Sequence, residues 1–269
     1  MAAIIPARCA SEGRCASAST SLASASGWYK QIFQQITAAL MHGYWQKTRH
    51  PWPCLLFVLP LLAFYEGSML YQAMEGLQPY RAGLDSWLHT SLVRLQWHAE
   101  YLPSLLMSVI CISWAVILWD RSPPENLSTV AGMFLECVVY SLALWGLGAL
   151  VTAQLAQLSI SQRTMQAIAL MGSGLFEEII FRLLGFGLLL WLLKLVLQER
   201  TSLIVAILIS SVGFSAAHYL GPQGEAWQVS TFVFRSMAGL IFASLFHYRG
   251  LGVAVGTHSA YNVMIGLLT

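Results

Sequence analysis

Glu177 and Glu178 are adjacent carboxylates, followed by Arg182, inside a stretch (165–197) that is otherwise apolar enough to sit in a membrane. A charge near the centre of a membrane helix costs roughly 2.5–3.5 kcal/mol on insertion scales, so such a cluster marks a functional site by default. The apolar windows that follow carry His218, Arg235, His258 and Asn262, and the earlier ones carry Glu66 and Glu136. Carboxylates and imidazoles are the groups of general acid–base catalysis and of metal ligation. A single buried imidazole is more often a packing group, but the whole set is harder to dismiss. Arg235 reads as a partner for a buried carboxylate or for the C-terminus of a substrate. Glu66 and Glu136 read equally as structural groups facing a cavity or as catalytic ones.

Spacing shows how these groups could converge. Residues four apart share a helix face, so Glu178 can pair with Arg182, and His258 and Asn262 project together. Phe214 and His218 have the same spacing. Small residues around them, including Gly172, Gly174, Gly213 and the Gly252–Gly256 pair, let membrane helices approach closely, although ordinary helix packing would also use them.

The elements that must carry these groups are membrane helices. Of the 269 residues, 57% are hydrophobic and only 10% charged, far from the globular norm of about a quarter charged. The expected fold is an all-α polytopic bundle, an integral membrane protein whose first partner is the lipid bilayer. A bacterial cell membrane is expected, with an organellar membrane as the alternative. A net charge of +2 without a basic run excludes nucleic acid as a partner. Five cysteines without metal-like spacing give neither a disulfide framework nor a zinc knuckle.

Windows of about 20 apolar residues mark seven spans, at 52–74, 102–120, 130–156, 165–197, 201–219, 228–247 and 250–268. The fourth is too long for one straight span, and a break near Gly172 or Gly185 would raise the total to eight. Residues 80–98 have helical periodicity but too many charges to cross, and are expected to lie along the surface. Residues 1–26 read as a disordered or targeting tail, and 27–50 as an interfacial amphipathic helix. N-terminal spans then fill 51–160, and 161–269 form the core that carries the polar set. With the N-terminus inside, Arg8, Arg14, Lys30, Lys47, Arg49, Arg121, Lys194, Arg200 and Arg249 face the cytoplasm, against Arg81, Arg94 and Arg163 outside, as the positive-inside rule prefers.

Glu177-Glu178-Ile-Ile-Phe-Arg182 is similar to the EExxxR motif of the CAAX protease and bacteriocin-processing family of intramembrane proteases. Phe214-Ser-Ala-Ala-His218 resembles its FxxxH motif, and His258-Ser-Ala-Tyr-Asn262 its HxxxN motif. The three occur in the family's order, each in an apolar helix, over roughly 165–269. The resemblance implies hydrolysis of a peptide bond of a membrane-associated or lipidated protein or peptide, possibly prenylated. It implies that Glu177 activates water, that His218 holds that water, and that His258 and Asn262 donate to the oxyanion. Glu178 and Arg182 would be a supporting pair. No cofactor is expected, and the resemblance leans to a glutamate-dependent reaction. A catalytic zinc on Glu177, His218 and His258 is the alternative, although the chain lacks a helical HExxH. Two further readings stay open, a catalytically silent scaffold or self-immunity factor and a small-solute transporter. Internal repeats would favour the transporter, and none is found.

One expectation conflicts with the motifs. At 1.5 Å per residue, straight helices ending at the window boundaries hold Glu177, His218 and His258 at different depths. Shifted boundaries or a broken helix would be needed to bring them together.

Overall fold

The computed structural model describes residues 43–77, 79–94, 102–117, 127–151, 160–220 and 224–268. Every candidate site residue lies in the compact unit Gln46–Thr269. The tail expected at 1–26 and most of the interfacial helix expected at 27–50 lie outside the described residues.

The described residues are all-helical, without a strand. In chain order the helices are α1 (Pro51–Met74), α2 (Gly83–Arg94), α3 (Leu102–Ile117), α4 (Leu127–Val151), α5 (Ile160–Glu178), a π-helical stretch (Ile179–Phe186), α6 (Gly187–Lys194), α7 (Glu199–Ala217), α8 (Val229–Arg249) and α9 (Leu251–Leu268). Each of the seven expected windows contains a helix. Four of them, Pro51–Met74, Leu127–Leu150, Glu199–Ala217 and Val229–Arg249, are by length and apolarity alone sufficient to cross a membrane. The chain is an integral membrane protein.

Local chemistry sets the ends. Before α1, the His50 side chain accepts from the Trp52 amide, and prolines occupy the first turn, where a missing N–H costs nothing. α8 stops at Gly250, whose φ of +93° places it in the left-handed region, so that α9 starts one residue later. The core is centred on α9, which packs against α5 most extensively and also against α4, α8 and α1. The close approach of α9 to α5 depends on Gly174, where a Cβ would stand 3.1 Å from the Ser259 backbone nitrogen. Gly256 plays the same part against Phe57 and Cys137.

The long fourth window is one continuous rod. α5, the π stretch and α6 follow one another without a gap, and Gly185 lies inside the π stretch. Wide i→i+5 turns are rare and gather at functional sites. Here they begin directly after Glu178.

Candidate active site

The depth conflict disappears once helix ends are measured from the turns that join them. α6 and α7 form a hairpin, with Glu177 17 residues before Lys194 and His218 19 residues after Glu199, so both lie at nearly the same height above the turn. The second hairpin, α8–α9, turns at Gly250 and meets the first through Phe186, edge-on to Phe246 at 5.7 Å. The windows ended in one assumed plane; the helices need not.

Three helices therefore deliver three motifs to one place. Glu177 Oε2 lies 3.8 Å from His218 Nε2 and 3.7 Å from His258 Nε2. The other carboxylate oxygen, Oε1, accepts a 2.6 Å hydrogen bond from Ser173 Oγ, one helical turn earlier. Ser173 thus fixes the carboxylate's rotation and turns Oε2 toward the imidazoles. A distance of 3.7–3.8 Å is too long for a hydrogen bond and leaves room for a bridging group.

The remaining ring nitrogens are tied. His218 Nδ1 lies 2.9 Å from the Phe214 carbonyl, which can only accept, so Nδ1 carries a proton. His258 Nδ1 lies 2.9 Å from Glu178 Oε1. Phe242 stacks on the His258 ring at 4.3 Å and 16°, and Phe214 meets both imidazoles edge-on. Both Nε2 atoms are thereby aimed at Glu177.

The second carboxylate forms a buried support. Glu178 and Arg182 are both fully buried, with Oε2 3.3 Å from Nε, as the i,i+4 spacing predicts. Arg182 also donates to the Gly239 carbonyl of α8 at 3.4 Å, and its guanidinium carbon lies 4.5 Å over the Phe214 ring. Gly239 has to be small, since a Cβ there would stand 3.0 Å from the Ser211 Cα. The result is a chain from Arg182 through Glu178 to His258 that spacing alone does not reveal.

Asn262 is placed elsewhere. Its Nδ2 donates to the Leu170 carbonyl at 2.9 Å, clamping α9 to α5 one turn beyond His258. Arg235 pairs at 2.6 Å with Glu225, whose side chain is half exposed, so the expected buried-carboxylate partner is corrected to a loop carboxylate. Glu136 forms a two-pronged pair with Arg249, both contacts at 2.6 Å, away from the cavity lining. Arg249, counted above as a flanking charge, is therefore a buried structural cation. Glu66 is half buried and also stands outside that lining.

A cavity of about 400 Å³ opens onto this centre. It is lined by Glu177, Phe181, Ala217, His218, Leu220 and Glu225, together with Gly83, Leu84 and Trp87 of α2. The helix expected along the surface thus reaches the site. Ser173 and Phe242 also escaped the sequence reading. The four-residue step from Ser173 to Glu177 was a usable signal, while nothing in the spacing pointed to Phe242. Among the described residues, no group of three or more His, Cys, Asp or Glu is arranged to hold a metal ion.

Residues 159–264 match the family model described as type II CAAX prenyl endopeptidase, Rce1-like. Over this segment the chain is similar to the CAAX protease family. The match spans all three motifs and both hairpins that position them, so the Rce1-like segment and the buried site coincide. The family is one of membrane proteases, and α1–α4 lie outside the matched Rce1-like segment. No curated protein and no solved structure matches the chain.

Proposed function

We propose that the protein is a membrane-embedded endopeptidase in which Glu177 activates a water to hydrolyse a peptide bond of a membrane-associated protein or peptide, a prenylated C-terminus being the best-supported substrate class. The observation that carries this reading is Glu177 Oε2 facing two Nε2 atoms from two other helices while Ser173, Phe214 and Glu178 occupy the remaining polar atoms.

Glu177 and Glu178 against Arg182 leave one negative charge, which one further proton neutralises. His258, between the two carboxylates, takes that proton and offers Nε2–H. His218, with its proton on Nδ1, offers a lone pair at Nε2. A water between them donates to Glu177 Oε2 and to His218 Nε2, which orients its oxygen toward the cavity. As that oxygen attacks the carbonyl carbon, its proton passes to Glu177. His258 Nε2–H stabilises the tetrahedral oxyanion. When the C–N bond breaks, the proton on Glu177 passes to the leaving amine, and carboxylate and imidazoles return to their starting states. Asn262 acts through position, by holding α9 so that His258 faces α5.

The reaction is proposed to need no metal. Purified protein in lipid bicelles, given farnesylated CAAX-type peptides, is expected to cleave them, and Glu177→Gln and His218→Ala to lose about 10²–10⁴-fold in kcat. Activity retained by a folded Glu177→Gln variant refutes the assignment. Loss of activity with a chelator, restored by stoichiometric zinc, refutes the metal-free mechanism.

A further inference from the structure

α2 lies outside the family match, yet its first turn touches the proposed base. Gly83 has φ +57°, and a Cβ there would stand 2.0 Å from Ser173 Oγ and 2.6 Å from Glu177 Oε1. The backbone of Gly83 therefore lies against the Ser173–Glu177 pair, at Oε1 rather than the Oε2 that faces the histidines. One and four residues on, Leu84 and Trp87 line the cavity together with Phe181 and Leu220 of the matched segment. Trp87 is 43% exposed, so much of its ring is open to an incoming group.

A cluster of polar groups around the buried Asp85 fixes this turn. Asp85, with no exposed surface, accepts from Tyr65 Oη of α1 at 2.5 Å and from Arg81 at 2.7 Å. Burial acts to lower the Arg81 pKa, but the adjacent Asp85 outweighs it and raises the guanidinium above its ordinary value. Tyr65 in turn packs on α5, edge-on to Phe176 at 6.0 Å, and fills the space that a Cβ at Gly172 would need. A buried acid held by two donors is an expensive way to anchor a helix that merely lies on a surface. It is an economical way to hold an apolar wall at a set distance from a reacting carboxylate.

We propose that the first turn of α2 is the specificity wall of the site: Leu84 and Trp87 select the substrate residue beside the scissile bond, and Gly83, anchored through Asp85, Tyr65 and Arg81, sets the gap between that wall and Glu177. This rests on the peptidase reading above. The walls named are apolar, so the accepted residue is apolar, and its bulk is limited by the indole of Trp87. Gly83 and Tyr65 act on the site through position.

The test uses the full chain in bicelles and farnesylated peptides carrying Ala, Val, Phe or Trp next to the cleaved bond, located by mass spectrometry. Trp87→Ala is expected to shift the kcat/KM ratio of the Trp peptide over the Ala peptide by at least about tenfold, the scale of small volume changes in an apolar pocket. Gly83→Ala, checked for insertion and thermal unfolding, is expected to lose about 10²-fold in kcat with little change in KM, as displacement of a reacting group does. An unchanged peptide ranking in Trp87→Ala overturns the wall. Cleavage of no peptide by the parent, or full cleavage by Glu177→Gln, sinks the peptidase reading instead. In that event the Glu177→Gln chain is cross-linked to a benzophenone-bearing peptide. Adducts on residues 83–87 support the wall, and adducts confined elsewhere overturn it.

Discussion

Arg182→Met tests the buried support at its centre. The substitution keeps a long side chain in place but removes the charge opposite Glu178, and both residues have no exposed surface. Breaking a buried ion pair by removing one partner costs about 3–5 kcal/mol, because the other charge is left uncompensated. Here the loss is tempered, since His258 Nδ1 stays 2.9 Å from the same carboxylate. The cation–π contact with Phe214 is exchanged for a weaker sulfur–aromatic one. The lower part of the range, about 3 kcal/mol, is therefore expected. Glu178→Gln/Arg182→Met should cost less than the sum of the single changes, with a coupling energy of about 2 kcal/mol. The measurement is reversible unfolding in mixed micelles, followed by helical circular dichroism, for the parent, both single variants and the double. A cost below about 1 kcal/mol for Arg182→Met, or single costs that add within about 0.5 kcal/mol, would refute the idea that the pair is a coupled buried unit.

Other perturbations separate the centre from its scaffold. Ser173→Ala frees Glu177 Oε1 and removes a hydrogen bond to a charged group, at about 1.5–3 kcal/mol; kcat should fall far more than KM rises, which steady-state kinetics will show. Glu136→Gln breaks the two-pronged pair with Arg249 and should cost about 3–5 kcal/mol in unfolding assays, while the folded fraction keeps its kcat. Asn262→Ala loses the clamp to Leu170, about 0.5–1.5 kcal/mol, and should reduce kcat less than His258→Ala does; an equal or larger loss would give the amide a direct chemical part. Phe242→Ala removes the face on which His258 stacks, and is expected to cost about 3–5 kcal/mol together with a loss of kcat.

The sequence revealed the actors better than the stage. Apolar windows located every described span because hydrocarbon imposes a length and a composition on whatever crosses it. The i,i+4 spacings correctly joined Glu178 to Arg182, since that relation is internal to one helix. Relations between helices were less legible. Window ends mark where polarity rises and say nothing of how far one hairpin projects beyond another, so they do not fix the depths of Glu177 and His258. Arg249 read as a flanking charge because its partner, Glu136, stands 113 residues away. The charges of α2 mark a surface helix but say nothing of its first turn, where Asp85 and Arg81 pair and Leu84 and Trp87 line the cavity. The π stretch has no proline or other mark in the sequence. It arises where α5 must face α9 and α6 must face α7.

That stretch makes the rod from Ile160 to Lys194 unevenly tolerant of changes in length. Each wide turn takes in about one residue more than an α-turn. Removing one residue between 179 and 186 would let a wide turn close to ordinary pitch while Glu177 and Lys194 keep nearly their present bearings. The same deletion within 161–176 would swing the carboxylates about 100° away from the histidines, the angle of one helical residue. A single-residue deletion scan along the rod should therefore show its mildest loss of activity across the π stretch. A uniform profile would mean that the wide turns hold no slack.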